Sequence, residues 1–299
     1  MMHSGRGLSA LVVLTLVWGY SWVLNKIGLE YASPYNFGFL RAISGAFIML
    51  SVLIWMKKPM KLVAPVKMFW LGTVHTGLFM TLQNWALAEG GAGRTSVLIF
   101  TMPIWTLFLA WGILGERVRG VQWLAAICTL TGLMLIIAPW SLNASLLGKT
   151  LGVLAALCWA AGTIMLKRWR NELHPDLLVV SVWQILIGSA FLFCVTLVAP
   201  EPATQWTPEF ITILIAISLF STVLGWFLWL YVLERLPAWQ ASLSILGVPV
   251  VANLSSRLQL GEQVEPLELA GMLLIGGGLA LLSFLNWRAQ RRLESIKDV

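Results

Sequence analysis

The sequence predicts an all-α polytopic membrane protein, with ten transmembrane helices arranged as two inverted five-helix repeats. Three observations carry this expectation. Of 299 residues, 59% are hydrophobic and 11% charged, with a mean hydropathy of +0.83, whereas soluble domains carry about 25% charge. The apolar residues come in near-continuous runs of roughly 18–22, the length of a bilayer-spanning helix, not in the ten-residue alternation of barrel strands. Lipid offers no partner to open backbone groups, so helices are the spanning structure that fits such runs. The third observation is that the chain repeats itself.

The first span, 8–28, reads LSALVVLTLVWGYSWVLNKIG, too long for a signal-peptide core and therefore a retained helix. The second, 36–56, follows Pro34 and stops at KKPMK, residues 57–61. Spans three to five cover 68–88, 95–114 and 121–140; the fourth contains Pro103 and runs into GERVRG at 115–120. The second set covers 149–168, 177–198, 210–233, 238–259 and 269–287, with EPATQWTPE at 201–209 as a break and Pro249 inside the ninth span. Residues 288–299 are read as a basic cytoplasmic tail.

Ten spans put both termini on one side. Fifteen Lys and Arg fall in the segments of that side, against only Lys26, Arg94 and Lys149 opposite. The excess places both termini in the cytoplasm and the chain, multi-pass, in the cytoplasmic (inner) membrane with lipid around it. It also accounts for the net charge of +7, so no nucleic-acid partner is expected. Cys128, Cys158 and Cys194 all lie in apolar runs, which predicts no disulfide framework, and no metal-ligand spacing or cofactor motif is present. LLGKT at 146–150 lacks the first glycine of a phosphate loop, because position 143 is Asn.

The stretch TMPIWTLFLAWGILGE, 101–116, is echoed by GVPVVANLSSRLQLGE, 247–262. One constant offset pairs Trp18 with Trp159, Lys26 with Lys167 and Pro34 with Pro175. A second pairs Ser96 with Ser242, Pro103 with Pro249, Glu116 with Glu262 and Gly132 with Gly278. The repeats therefore cover 8–140 and 149–287. Five spans per half is an odd number, so the second half enters the membrane from the other side. Inverted repeats of this kind build many secondary transporters, with the substrate near the midplane where the halves meet. Shared apolar composition is the competing explanation, but it does not place Trp, Lys, Pro, Gly and Glu in register.

VWGYSWVLNKIGLEYASPYNFGFLRAISGAFIML resembles the opening of an EamA domain, with Trp18-Gly19, Lys26, Pro34 and Arg41 in the family's pattern. NWALAEGGAGRTSVLIFTMPIWTLFLAWGILGERVRG resembles the family's third-to-fifth-helix region, with Pro103 and Gly115-Glu116-Arg117. The second half departs at Ala160, at Gln263 and in lacking the helix-two Arg. The resemblance identifies a member of the drug/metabolite transporter superfamily. It implies ten helices, a central cavity and efflux of small metabolites. Seventeen Trp look most like the YddG-type aromatic amino acid exporters, implying amino acids, aromatic ones included, as substrates. A broad drug or organic-cation exporter is the alternative. Coupling to protons and oligomeric state stay open, a monomer being one option. No triad or carboxylate pair supports an enzyme, and a channel's rings of like residues are not suggested by two inverted halves.

Trp near span ends suits the membrane interface, as for Trp55, Trp70, Trp123 and Trp206. Trp18, Trp22, Trp105, Trp159, Trp183 and Trp226 fall deeper, where an indole N–H needs a partner, so helix contacts or a cavity are expected. Trp18, Ser21, Trp22 and Asn25 share one helix face at i, i+3, i+4 and i+7; Trp159 and Thr163 repeat it on helix six, and Ser218, Thr222, Trp226 and Trp229 on helix eight. His75, with Phe79 on its face, is read either as a substrate or proton group or as a neutral structural histidine. Asn253 is a further candidate liner. Arg41 could steer a carboxylate, but its place near a span end favours snorkelling to the interface. Pro103 and Pro249 are the expected hinges, and Glu116 and Glu262 are expected to make a helix cap or a loop contact.

Overall fold

The structure is a computed structural model that describes residues 2–90, 98–118, 120–137, 146–199, 202–260 and 266–297; the side chains of 2–6, 8, 87–90, 136–137, 146, 149, 253, 256, 257, 260, 268, 282, 283 and 286–297 lie outside the description. It is 83% helix, with no strands among the described residues. Five helical stretches are long and apolar enough to cross a membrane: Ser9–Gly28, Pro34–Trp55, Thr150–Trp169, Leu177–Val198 and Pro208–Arg235. Shorter apolar helices accompany them. Large apolar side chains cover the outside of the bundle, among them Phe47, Ile54, Phe108, Leu197 and Leu273. So much exposed apolar surface suits lipid rather than water, and the chain is a multi-pass membrane protein. Trp55 is 83% exposed and Trp206 60%, at helix ends as the interface reading expects.

The helices run α1 Met2–Gly28, α2 Pro34–Trp55, α3 Pro65–Gly72, α4 Phe79–Gly90, α5 Met102–Leu109, α6 Gln122–Ile137 and α7 Leu146–Trp169. They continue as α8 Leu177–Val198, α9 Pro208–Ala216, α10 Gly225–Arg235, α11 Ala238–Ser244, α12 Gly247–Leu260 and α13 Pro266–Lys297. Local chemistry sets the boundaries. Pro34, Pro65 and Pro208 open their helices in the first turn, where the missing N–H costs nothing. Asp176 caps α8 by accepting from the Leu178 N–H (2.9 Å), and Thr207 caps α9 by accepting from Phe210 (3.2 Å). Burial alone would raise the Asp176 carboxyl; the Lys58 ammonium and the Leu178 N–H outweigh it and hold the group below its ordinary value. Residues 288–297, within the stretch read as a basic cytoplasmic tail, are helical and continue α13.

Among the described residues, three π-helical segments and two breaks divide the long rods, one of the π-helices being Ala110–Leu114 directly after α5. Thr73–Leu78 joins α3 to α4 as a π-helix, and Ile217–Leu224 joins α9 to α10 in the same way. Both seat a threonine against a glycine of a neighbouring helix. A Cβ on Gly188 would stand 2.5 Å from the Thr76 side chain, and one on Gly45 2.6 Å from that of Thr222. The two proline-bearing spans are not continuous. A turn at Phe100–Thr101 precedes α5, and a turn at Ile245–Leu246 separates α11 from α12. Pro103 therefore sits in the first turn of a new helix rather than inside an old one.

Helices α6 and α13 form the most extensive pairing. A Cβ on Gly132 would lie 2.5 Å from the Gly271 carbonyl oxygen, and one on Gly278 2.9 Å from that of Ala125. Residue numbers rise along α6 as they fall along α13, so the two helices are antiparallel. Ion pairs gather at one end of the bundle: Lys58–Asp176 (2.5 Å), Lys67–Glu172, Arg170–Glu234 (2.5 Å) and Arg235–Glu234 (3.6 Å). The start of α1 lies at that same end, where Gly7 faces Arg235.

Candidate functional site

The indole-bearing faces of α1, α7 and α10 converge on one aromatic hub. The Trp18 ring meets Trp159 at 5.3 Å and Trp226 at 6.5 Å, both edge-on, and Trp229 at 6.1 Å. Phe79 stands edge-on to Trp159 at 4.6 Å. Such geometry pairs the positive ring edge with the negative face and adds about 0.5–1.5 kcal/mol per pair beyond burial. Trp18 donates its Nε1–H to the Ser221 carbonyl (3.1 Å). Gly225 makes that approach possible, since a Cβ there would fall 2.2 Å from Trp18 Nε1.

Beside the hub lies a cavity with a water-accessible volume of about 80 Å³. Its walls include Trp18, Ser21, Trp22, Asn25, Arg41, Phe79, Gln83, Trp159, Ser221 and Trp226. Both helix breaks reach it, the first through Ile99, Phe100 and Met102 and the second through Ile245 and Val248. Trp22 packs on Phe100 at 5.9 Å, which ties the face of α1 to the first break.

Trp18, Trp22, Phe79, Trp159 and Trp226 thus meet at one site, as the helix-face spacing suggests. Others stand elsewhere. His75 is fully buried behind the hub, 5.1 Å edge-on to both Trp159 and Trp226, and is not a cavity wall. Its Nδ1 meets the Gln184 amide nitrogen at 3.3 Å, and that amide also reaches Thr76 Oγ1 at 3.2 Å. With the amide so oriented, Nδ1 accepts and Nε2 carries the hydrogen; Nε2 has no partner among the described residues. Thr163 is likewise fully buried and away from the cavity. Trp105 donates to Thr101 Oγ1 (3.2 Å) within its own segment. Trp183 is turned away and donates to the Met60 carbonyl (3.3 Å). The Asn253 side chain lies outside the described residues.

Arg41 departs most from expectation. It does not snorkel: its guanidinium lines the cavity and donates from Nη1 to Asn25 Oδ1 at 3.0 Å. A position near a span end says how far a side chain must reach for water, but not whether it faces lipid or the bundle. The face of α1 ending in Asn25 held the missing signal, a polar residue placed to receive it. Ser221, Phe100 and Ile245 carry no mark in the sequence beyond the nearness of the last two to Pro103 and Pro249, three and four residues on.

The end of the bundle that carries the ion pairs is also closed by polar contacts. Lys167 donates to the carbonyls of Leu233 and Leu236, both at 2.7 Å. The Trp239 N–H at the start of α11 faces Glu116 Oε2 at 3.4 Å. Burial raises the Glu116 carboxyl above its ordinary value, against the opposing pull of the Trp239 N–H, the Lys167 charge and the Ala238 N–H. Glu116 thus meets the start of α11 from another segment, whereas Glu262 lies outside the described residues.

Known proteins frame this arrangement. The model of the EamA-like transporter family matches residues 5–138 and again 146–284. The chain is 29% identical over 298 residues to a probable amino-acid metabolite efflux pump of Escherichia coli (strain K12), covering 96% of this chain and 98% of that one. It is 28% identical over 280 residues to the uncharacterized transporter YoaV of Bacillus subtilis (strain 168), covering 92% and 95%. A crystal structure superposes with a TM-score of 0.79 at 16% identity, covering 95% of this chain and 99% of that chain, which speaks for the fold alone. Matched along both stretches, the chain belongs to the EamA-like transporter family.

Proposed function

We propose that this transporter exports small metabolites, amino acids and aromatic ones among them, from the cytoplasm by alternating access of two inverted five-helix repeats, 8–140 and 149–287. The observation that carries the reading is the cavity: tryptophans from both halves, polar groups beside them, and both helix breaks in its wall. Broken helices at the meeting of repeats are where transporters hold substrate. The efflux-pump name of the Escherichia coli relative points the same way.

The excess of Lys and Arg supports a cytoplasmic location for the end sealed by Lys167 and Glu116. On that reading the cavity belongs to an outward-facing form, and transport requires those contacts to part. The aromatic exporter type finds support in the indole hub; an organic-cation exporter is disfavoured by the Arg41 guanidinium in the cavity wall.

The test is counterflow in proteoliposomes with labelled phenylalanine, tryptophan, alanine and tetraethylammonium, with and without a pH gradient. Saturable exchange of the aromatic amino acids, with little flux of the cation, is expected. Cation exchange without amino-acid exchange would overturn the substrate reading, and unsaturable flux would indicate a channel.

A further inference from the structure

We propose that the cavity recognises its substrate by the carboxylate and not by the ammonium group. Arg41, steadied by Asn25, is the anion anchor, and the substrate class is amphipathic carboxylates whether or not they carry an amine. The inference rests on the exporter reading above and narrows it.

Arg41 brings into the bundle a charge that no acidic side chain among the described residues pairs. A guanidinium inside a membrane-embedded bundle is costly unless paired. Arg41 has a single hydrogen-bond partner for its side chain among the described residues, the neutral amide of Asn25. Its Nε is buried without any partner. Among the described residues, no Asp or Glu lines the cavity. A planar fork with free donors and no counter-ion is complementary to a carboxylate, which accepts two parallel N–H bonds from it.

To a cation the described walls offer indole faces and neutral acceptors but no carboxylate. An ammonium would find neutral acceptors such as the Gln83 side chain and the Ser221 carbonyl, the latter already receiving Trp18 Nε1–H. It would also feel the repulsion of Arg41. The indoles supply the apolar half of the fit. Trp18, Trp22 and Asn25 lie on one face of α1, and seven residues of helix separate Trp18 from Asn25 by about 10 Å. The aromatic and cationic ends therefore stand one small molecule apart, so the ring of an aryl acid seats on the tryptophans while its carboxylate meets Arg41.

The test uses the full-length protein in detergent and three probes sharing one ring: phenylalanine, 3-phenylpropionate, which lacks the amine, and phenethylamine, which lacks the carboxylate. Binding is read by calorimetry and by quenching of the tryptophan fluorescence. The wild-type protein should bind both acids and hold the amine roughly tenfold or more weaker. Arg41→Gln should weaken both acids by roughly tenfold to a hundredfold and leave the amine unchanged or improved.

Arg41→Lys, which keeps the charge without the fork, should lose the acids by an intermediate factor and serves if the glutamine variant does not fold. The Ser218 hydroxyl donates to the Arg41 backbone carbonyl (3.3 Å), a contact neither variant removes. Equal binding of acid and amine by the wild-type protein, or equal loss of all three probes in the variants, would overturn the anchor while leaving the exporter reading intact. Failure of the wild-type protein to bind any probe, together with absent amino-acid counterflow, would overturn the exporter reading and this inference with it.

Discussion

Gly162 on α7 shows at residue scale how the hub closes. A Cβ there would fall 2.2 Å from His75 Cγ and 2.3 Å from its Cβ, so the histidine ring occupies the space where a side chain would be. His75 in turn braces Trp159 and Trp226. Gly162→Ala should therefore destabilise the protein by about 1–3 kcal/mol through overpacking. It should also disturb tryptophan fluorescence, since His75 must move against both rings. Thermal unfolding in detergent reads the first effect, and an unchanged melting temperature would contradict the packing. Much of this site was legible in the sequence. The i, i+3, i+4, i+7 face of α1 and the depth of Trp18, Trp22, Trp159 and Trp226 predicted an enclosed aromatic site, because a buried indole N–H needs a partner. His75 stands behind the cavity wall and Trp183 faces away from it, because periodicity fixes a face but not which neighbour that face meets. That azimuth is decided by packing against helices far away in sequence.

At the scale of elements, the prolines were visible and the π-segments were not. Pro103 lacks the N–H that would bond the Ile99 carbonyl, and Pro249 lacks the one for Ile245. Each break is bridged instead by tighter i→i+3 bonds, Thr101 N–H to Leu98 O (3.2 Å) and Val248 N–H to Ile245 O (2.8 Å). No comparable mark in the sequence announces Thr73–Leu78 or Ile217–Leu224, whose extra residue is accommodated by Gly188 and Gly45 across the helix contact. Both breaks border the cavity, so bending there changes its walls directly. Alanine at either proline restores the missing donor and favours a continuous rod by about 1 kcal/mol at these first-turn positions, roughly a fivefold change in the bent fraction. Pro103→Ala and Pro249→Ala should each slow counterflow several-fold without lowering the melting temperature. Unchanged rates in both would remove the prolines from the mechanism.

At the scale of the whole molecule, the contact between α6 and α13 reads the same from either side. The repeat offset that carries Gly132 to Gly278 also carries Ala125 to Gly271 and Thr129 to Ile275. Gly132 faces Gly271 and Ile275, while Gly278 faces Ala125 and Thr129. Exchanging the halves returns the same contact set, which is the signature of a two-fold relation. Because the helices are antiparallel, the axis of that relation runs across them, the direction that the proposed inverted repeats call for. The reciprocity has a measurable consequence. The nearest atoms to either added Cβ include backbone oxygens, which cannot rotate aside, so Gly132→Leu and Gly278→Leu should each cost about 1–3 kcal/mol. Once one leucine has pushed the helices apart, the second meets less resistance. The double variant should therefore cost less than the sum of the singles by about 0.5 kcal/mol or more. Gly277→Leu on the same helix is the control, since a Cβ there meets nothing within 4 Å. Equilibrium unfolding in mixed micelles measures all four. Strict additivity, or a control as damaging as the contact variants, would separate the two glycines and with them the shared axis.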